Sequence, residues 1–523
     1  MSLAIMQPTN GQIGLIHGPW PAASPWSRHW PGPGRPASPA TVVAVLAATV
    51  IAALSVPLDR AGLGWLVTAV AGVGALVAAR VIGTPPAVPA LVPTRVDHGG
   101  PDRFAWAAAT VALLAVGTFR AAGWLFVLCL LTATLTTALA LSSGRSLRSV
   151  ALTYVLVPAA ATRGGLWLAR GAGRLRGRSR SGSALRVLAT VAVSILLLAV
   201  FGALFVSADA AFARVFEAAI PDLRPITIIR WIFVSAVTAP LLTAAAYLRA
   251  APPAPGRLDR TEGRKVGRME WAVPLGLLVL LFAAFVTIQL AVLFGGDRHV
   301  VETDGLTYAE YARSGFWQLC MVTALTLVVL AGAARWAPRT GRADRMLLRV
   351  VLGALAALTL VIVASALHRM NVYTETYGLT RLRLLVACCE AWFGLVLLMV
   401  LVAGIRIRAA WLPRVAIGVG VLALLGLAAA NPDGLIAANH VQRFERTQTI
   451  DAGYLADLSP DAVPALTGLD EPATRACLLD AIGADMPADD WREFNTARES
   501  ARDLVARYRP ADPGACSRML GRS

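Results

Sequence analysis

Two neighbouring apolar stretches decide the class of this protein: MLLRVVLGALAALTLVIVASALH at residues 346–368 and LRLLVACCEAWFGLVLLMVLVAG at residues 382–404. The first contains one arginine, and the second contains one arginine and one glutamate. A helix of about 20 mainly apolar residues crosses the hydrocarbon core of a bilayer. Each stretch therefore predicts a membrane-spanning α-helix.

The composition of the whole chain follows the same trend. Of its 523 residues, 57% are hydrophobic and 15% are charged, and the mean hydropathy is +0.63, whereas a soluble domain has about 25% charged residues. We predict an all-α fold, a polytopic transmembrane helix bundle with about 11 spans. The other candidate spans are residues 40–57, 61–82, 104–119, 121–142, 186–206, 226–248, 271–295, 315–335 and 411–430.

A twelfth segment, Ser149 to Thr162, contains Pro158 and lies between two arginines. Its length of about 14 residues is typical of an interfacial or re-entrant segment. If it does not cross and the N-terminus is cytoplasmic, the inner segments carry 28 Lys and Arg residues and the outer loops carry nine. Cytoplasmic loops are enriched in Lys and Arg. The eleven-span model with a cytoplasmic N-terminus in the plasma membrane is therefore favoured, and a crossing segment would divide the arginines between both sides.

Three regions differ in composition. Residues 1–39 hold eight prolines and predict a disordered cytoplasmic leader. Residues 40–430 form the predicted transmembrane domain; residues 1–430 together have a net charge of +22, and residues 431–523 have a net charge of −5. The apolar residues of this last region recur at helical spacing. An odd number of spans then predicts a soluble helical tail outside the cell.

Two charged residues lie well inside predicted spans, namely Arg230 and Glu390. In the eleven-span model both occupy the outer half of the bilayer. Charges inside a membrane are costly and each calls for a partner or a function. The alternatives are a structural ion pair or a site for an ion, a proton or a substrate.

The outer loops supply further polar candidates, which are Glu310, Arg313, Glu375 and Arg381. Together with Glu390 they predict a polar pocket near the outer face that suits an anionic or zwitterionic ligand such as a lipid headgroup. The same outer loops also contain tyrosines, which have a second explanation, because Tyr and Trp are enriched at the membrane–water interface.

The remaining chemistry-bearing residues predict few sites. Cys477 and Cys516 lie in the predicted external tail, where a disulfide is permitted, and the other four cysteines lie in spans. The six histidines show no metal-ligand spacing, and no enzyme signature is present, so we predict no catalytic residue, no metal and no cofactor. The positive charge records orientation and does not predict nucleic-acid binding. Expected partners are the lipid bilayer, anionic lipids at the cytoplasmic arginine-rich loops such as 163–186, and a protein partner of the tail.

Four motifs carry a resemblance to a known family. The chain resembles the uncharacterised bacterial multi-pass membrane family called domain of unknown function 4173, which is related to 4153, over most of residues 40–510. The resemblance implies a multi-pass membrane protein with an extracytoplasmic tail and implies no activity. The motifs are Phe205-Val-Ser-Ala-Asp209 with Phe212, Asp304-Gly-Leu-Thr-Tyr-Ala-Glu-Tyr-Ala-Arg-Ser-Gly-Phe316, Tyr377-Gly-Leu-Thr-Arg-Leu-Arg383, and Asn431-Pro-Asp433 with Asn439.

Three functions remain open. Transport or lipid handling would use the outer polar residues and Glu390. A signalling or assembly role would use the external tail to bind a partner. A membrane glycosyltransferase-like enzyme would use the acidic stretch Glu302-Thr-Asp304, but the first external loop, around Asp59, is only a few residues long.

Overall fold

The computed structural model describes residue 30, residues 32–81, 101–141, 147–177, 225–252, 267–294, 316–338, 341–406, 411–484 and 486–508, and the single residues 197, 201 and 516. All regular structure within these ranges is helical. The helices from the N-terminus to the middle of the chain are α1 (Pro39–Ser55), α2 (Leu63–Val81), α3 (Pro101–Phe119), α4 (Gly123–Leu141), α5 (Leu147–Gly177), α6 (Pro225–Ala250), α7 (Arg268–Phe294) and α8 (Phe316–Trp336). They are followed by α9 (Arg342–Tyr377), α10 (Arg381–Arg406), α11 (Leu412–Ala429), α12 (Pro432–Thr447), α13 (Ala452–Ala456), α14 (Val463–Leu466), α15 (Pro472–Ala484) and α16 (Thr496–Arg507).

The apolar helices form a bundle with two groups. In one group, α1 packs against α2, α5 and α6; in the other, α9 packs against α7, α8 and α10. The two groups meet where α11 contacts α3, α4 and α10. Eight of these helices are long and apolar enough to cross a membrane, and α1 and α2 are shorter apolar helices. The protein is therefore a helical integral membrane protein.

Threonine hydroxyl groups inside the bundle bond within their own helices. Thr359 is fully buried and donates to the carbonyl oxygen of Leu355 at 2.6 Å, and Thr49 donates to that of Val45 at 2.8 Å. A buried hydroxyl without a hydrogen bond would cost free energy. The bond to a carbonyl four residues earlier avoids that cost without a polar partner on another helix.

Ten of the predicted spans fall on helices, and the remaining one, residues 186–206, lies outside the described residues apart from 197 and 201. The helix α9 is longer than its predicted span because it continues to Tyr377. The residues from Arg369 to Tyr377, which the sequence predicts as an external loop, are thus helical. The connection between α9 and α10 shrinks to residues 378–380.

The segment 149–162 is a correction to the sequence analysis. It belongs to the 31-residue helix α5, which passes through Pro158 and Arg163 without a break, so the helix is longer than the predicted segment of about 14 residues. The hydropathy of the segment falls at Arg163, but arginine is a good helix former and the helix has no reason to stop there. The helix α5 packs along α6, where Gly164 adjoins Thr243 and the Trp167 ring contacts Tyr247, and Trp167 donates to the Arg35 carbonyl oxygen just before α1.

The end of the predicted leader also differs from expectation. Trp30 is 5% exposed, donates to the carbonyl oxygen of Ala251 at 2.8 Å and contacts Tyr247 edge to face. The guanidinium group of Arg163 lies over its ring at 5.3 Å. The packed region therefore begins before residue 39, because a tryptophan that the sequence assigns to a proline-rich leader fills a site between α5 and α6. Residues 1–29 lie outside the described residues.

The helices α12 to α16 share a separate apolar core. Its fully buried members include Ile436, Leu455, Leu466, Leu478 and Leu479. Asn431 begins this region with a left-handed backbone (φ 57°), and its side chain accepts a hydrogen bond from the Gly434 amide at 3.1 Å, which is a local turn that asparagine readily forms. We call residues 431–508 the C-terminal cap.

Candidate functional site

The C-terminal cap rests on three short connections of the helix bundle. These are residues 56–62 between α1 and α2, residues 120–122 between α3 and α4, and residues 378–380 between α9 and α10. Because all three connections contact one cap, these ends of the six helices lie on the same side of the bundle. We call this contact the cap junction.

Asp433 is the centre of the cap junction. It is fully buried and accepts two hydrogen bonds from Arg381, one from Nε at 3.0 Å and one from Nη2 at 2.6 Å. It also accepts from Trp124 Nε1 at 3.1 Å and from the backbone amide of Ser459 at 2.9 Å. Burial alone would raise the pKa of Asp433, but these donors and the arginine charge lower it below its ordinary value. The carboxylate therefore stays ionised and joins α4, α10 and the cap.

Asp461 forms the second buried acidic contact. One of its oxygens accepts from the amides of Ala121 and Ala122 at 2.7 and 2.9 Å, and Arg120 lies 3.7 Å from the other. Burial raises the pKa of Asp461 despite these bonds. Arg120 also donates to the carbonyl oxygens of Ala428 and Ala429, which are the last residues of α11. One arginine thus connects the α3–α4 connection, the end of α11 and the cap.

The connection between α9 and α10 fits against a histidine of the cap. The His440 Nε2 atom lies 2.9 Å from the Leu379 carbonyl oxygen, and Asn439 accepts from the Leu379 amide at 3.0 Å. Gly378 has a φ of 80°, and a Cβ there would lie 2.7 Å from the imidazole ring. Only glycine fits both the backbone and the space. Burial lowers the pKa of His440, so the neutral ring is the form that fits.

A third group of contacts holds the end of the cap. Arg498 binds Asp489 through Nε at 2.9 Å and donates to the Ala61 carbonyl oxygen at 3.1 Å. Asn495 donates to the carbonyl oxygens of Gly117 and Arg120 at 2.8 and 2.9 Å. The unpaired carbonyl groups at the end of α3 are thereby satisfied by an asparagine almost 380 residues later.

The predicted outer pocket is only partly represented. Arg381 lies at the cap junction, but its partner is Asp433 and not Glu375 or Glu390. Glu375 is exposed on the last turns of α9. Glu310 and Arg313 lie outside the described residues, as do the acidic residues 302 and 304. The described residues include no group of three side chains suited to hold a metal ion.

Glu390 lies inside the bundle, on α10, and is 1% exposed. Within the described part of the chain, neither of its carboxylate oxygens has a hydrogen-bond partner at ordinary distance and angle. The Thr323 hydroxyl adjoins it, but its single hydrogen is donated to the Leu319 carbonyl oxygen at 3.0 Å. The Cys320 thiol is its other polar neighbour. Glu390 is therefore a buried acid with two neutral polar neighbours and no ion-pair partner among the described residues.

The two intramembrane charges do not meet. Arg230 is on α6, which packs against α1 and α5, whereas Glu390 faces α8. The structure has no ion pair between them, and the Arg230 Nε atom is buried without a hydrogen-bond partner. The separation of their helices into two groups explains this result, which spacing along the chain does not reveal.

Cys477 and Cys516 form a disulfide with a Cα–Cα distance of 5.1 Å. It closes a loop with a sequence separation of 39 and fixes residue 516 to α15. A persistent disulfide is typical of a compartment outside the reducing cytosol.

Sequence reasoning missed several residues of the cap junction. Asp433 stands in the Asn431-Pro-Asp433 motif, but an acidic residue after Asn-Pro reads as part of a turn. Trp124 and Asp461 gave no signal, since each meets its partner over more than 300 residues of chain. Asp433 and Arg381 both lie in motifs that carry the family resemblance, which is the one feature that they share in the sequence.

Comparison with known proteins gives a family and no activity. No curated protein and no solved structure matches the chain. The family model described as Domain of unknown function (DUF4153) matches residues 108–469, which include Arg120, Glu390, Asp433 and Asp461. The sequence motifs were compared with the related family 4173, whereas the family model that matches the chain is that of 4153. Because the matched region is well over half of the chain, the protein belongs to the DUF4153 family of unknown function.

Proposed function

We propose that this protein is a transport or lipid-handling protein of the plasma membrane in which Glu390 takes up and releases a proton or a cation. The observation that carries the proposal is the state of Glu390: a carboxyl group on an apolar helix, 1% exposed, beside the Cys320 thiol and the Thr323 hydroxyl and without an ion-pair partner among the described residues. Acids inside membranes are rare and mark ion pathways and proton relays.

A purely structural role would give Glu390 a partner. A buried carboxylate is stable only when it is paired or hydrogen-bonded, and otherwise it binds a proton. The predicted partner, Arg230, belongs to the other helix group, and the neighbouring hydroxyl has donated its hydrogen elsewhere. The free-energy cost of burying an unpaired carboxylate is removed if Glu390 is protonated and neutral, or if its carboxylate binds a cation.

The position of Glu390 suits an occluded site. It lies nine residues into α10, roughly 14 Å along the helix from Arg381 at the cap junction. Between the two levels, Met370 and Val386 are buried and pack with Cys320 and Ala387. This apolar layer separates Glu390 from the outer polar residues, as is needed if access is to alternate between the two sides.

Chemical labelling tests whether the acid exchanges a proton. Dicyclohexylcarbodiimide, an apolar reagent for protonated carboxyl groups, is applied to the protein in phosphatidylglycerol–phosphatidylethanolamine vesicles across pH 5 to 9, with and without sodium ions. We expect labelling at Glu390 that falls as the pH rises or when sodium is added. Glu375→Gln is the matched control, because this carboxyl group is exposed at the end of α9.

The Glu390→Gln variant provides the functional readout. An amide is less costly to bury than an unpaired carboxylate, so the variant should fold at least as well as the wild type. Proton flux into vesicles under an imposed membrane potential should be lost in Glu390→Gln and kept in Glu375→Gln. A Glu390 that is never labelled, in a protein that Glu390→Gln strongly destabilises, would show a structural acid and refute the proposal.

The orientation in the membrane is part of the proposal. The excess of arginine in the loops remote from the cap supports a cytoplasmic N-terminus and an extracytoplasmic cap. The disulfide in the cap supports the same orientation, since cytosolic thiols are kept reduced. Binding of a protein partner by the tail stays a prediction; the face of the cap that meets the bundle is already occupied by the protein's own connections.

A further inference from the structure

A cavity of about 440 Å³ lies between α8, α9, α10 and α11, at the ends of these helices remote from the cap. Its size is in the range of small-molecule sites, which occupy about 300 to 1,000 Å³. Aliphatic side chains and glycines line it, and Arg349 is the only charged residue on its wall. The cavity is therefore built for an apolar body with one anionic end.

The depth of the cavity matches one leaflet of a bilayer. Along α10 its wall extends from Val396 to Ile405, roughly 14 Å at 1.5 Å per residue. Half of a hydrocarbon core of about 30 Å is roughly 15 Å. An acyl chain of a lipid from that leaflet therefore fits the long dimension of the cavity.

The arginine lies at the level of the headgroups. Arg349 and Tyr377 are 28 positions apart on α9, which corresponds to roughly 42 Å. A bilayer with its headgroup regions is about 40–45 Å thick. Tyr377 is next to the cap junction, so Arg349 reaches the opposite headgroup layer.

The charges around this end favour an anion. Arg349 is exposed and has no ion pair among the described residues, and Arg345 one turn away is also exposed. The nearby Asp344 is buried and already bound to Arg268, whose Nε atom lies 2.6 Å from it. The acid is neutralised while both arginines remain available to a phosphate group.

We propose that this cavity binds an anionic phospholipid of the leaflet remote from the cap, with one acyl chain between α8 and α11 and the phosphate on Arg349. The site is distinct from Glu390 and from the cap junction. Its glycines leave room for the chain: a Cβ added at Gly353 or Gly404 meets no atom within 4 Å.

Native mass spectrometry of the full-length protein in detergent tests the acyl-chain part. Palmitoyl-oleoyl phosphatidylglycerol and the matching phosphatidylcholine are the two probes. The Gly404→Leu substitution places an apolar side chain in the cavity at a point where a Cβ meets no atom within 4 Å, and we expect it to lower the binding of both lipids at least tenfold. Gly276→Leu is the matched control, because a Cβ at Gly276 on α7 also meets open space but lies outside the cavity.

The charge part is tested with Arg349→Gln against Arg345→Gln. A basic residue near the membrane surface favours anionic lipid about fivefold. We expect the preference of the wild type for phosphatidylglycerol over phosphatidylcholine to fall about fivefold in Arg349→Gln and to remain in Arg345→Gln. Equal binding by Gly404→Leu and Gly276→Leu would overturn the acyl-chain site. If Arg349→Gln and Arg345→Gln lose the preference for phosphatidylglycerol equally, the arginines attract anionic lipid non-specifically. That result would also overturn the proposal.

Discussion

Replacing Asp433 by Asn is the sharpest perturbation of the cap junction. The substitution keeps the shape of the side chain, removes its charge and turns one acceptor oxygen into a donor. The carboxylate accepts four hydrogen bonds, from Arg381, Trp124 and Ser459, and one or more of these must be lost. The perturbation is local, since the cap has its own apolar core.

The expected cost follows from the burial of the pair. Breaking a fully buried ion pair costs about 3–5 kcal/mol. Asp433 is fully buried, but the Arg381 side chain is 31% exposed, so water partly compensates the arginine. We expect about 3 kcal/mol, which corresponds to a more than hundredfold higher population of the undocked cap.

Amide hydrogen exchange measures this population. Two amides at the junction depend on the docked cap: Ser459, which donates to Asp433, and Leu379, which donates to Asn439. Their exchange should accelerate more than hundredfold in Asp433→Asn, while the amides of α9 and α10 within the bundle stay protected. Glu445→Gln is the matched control, because it removes an exposed negative charge from the same helix. If both variants exchange alike at these amides, Asp433 does not hold the cap, and the reasoning fails.

Three further predictions concern the cap and the membrane topology. Because the pKa of His440 is lowered from 6.5, its contribution to stability is complete above pH 6.5 and is lost as the pH falls towards the lowered value. The melting temperature should therefore fall between pH 7.5 and pH 5.5, and His440→Gln should reduce this fall. The raised pKa of Asp461 changes the stability with pH in the opposite direction. Removing the disulfide by Cys516→Ser should cost about 2–4 kcal/mol of cap stability, measured by denaturant unfolding monitored at the cap, and an unchanged midpoint would contradict it. In the eleven-span model, reporters fused after Ser142 and after Arg180 should both be cytoplasmic; opposite locations would show that α5 crosses the bilayer and would refute that model.

The membrane helices were the predictable part of the fold. Desolvation of the backbone forces a helix wherever about 20 apolar residues occur, and the ten described candidates are helical for that reason. The criterion fails where a helix does not need apolar residues. The helix α5 continues through Arg163 and Arg170, which ended the apolar window but not the hydrogen-bonded backbone.

The site was less predictable, because its contacts are long-range. Arg381 was predicted as a polar residue of the outer face and lies at the cap junction, but its bond to Asp433 was not predicted, because Asp433 reads as part of a turn. Glu390 was recognised from its position inside a span, and its isolation from Arg230 was not, since no spacing rule reports which helices are neighbours. The cavity next to Arg349 had no signal, as glycines and aliphatic residues occur in every span.

The joint between the last apolar helix and the cap has a mechanical consequence. Only Ala430 and Asn431 separate α11 from α12, and the left-handed backbone of Asn431 is held by its own side chain on both sides, at Gly434 and at the Asp461 carbonyl oxygen. A connection of two residues held in this way allows little change in the distance or the angle between α11 and α12. A piston-like shift or a tilt of α11 would therefore be transmitted to the whole cap, so the position of the cap would report movements of the last apolar helix.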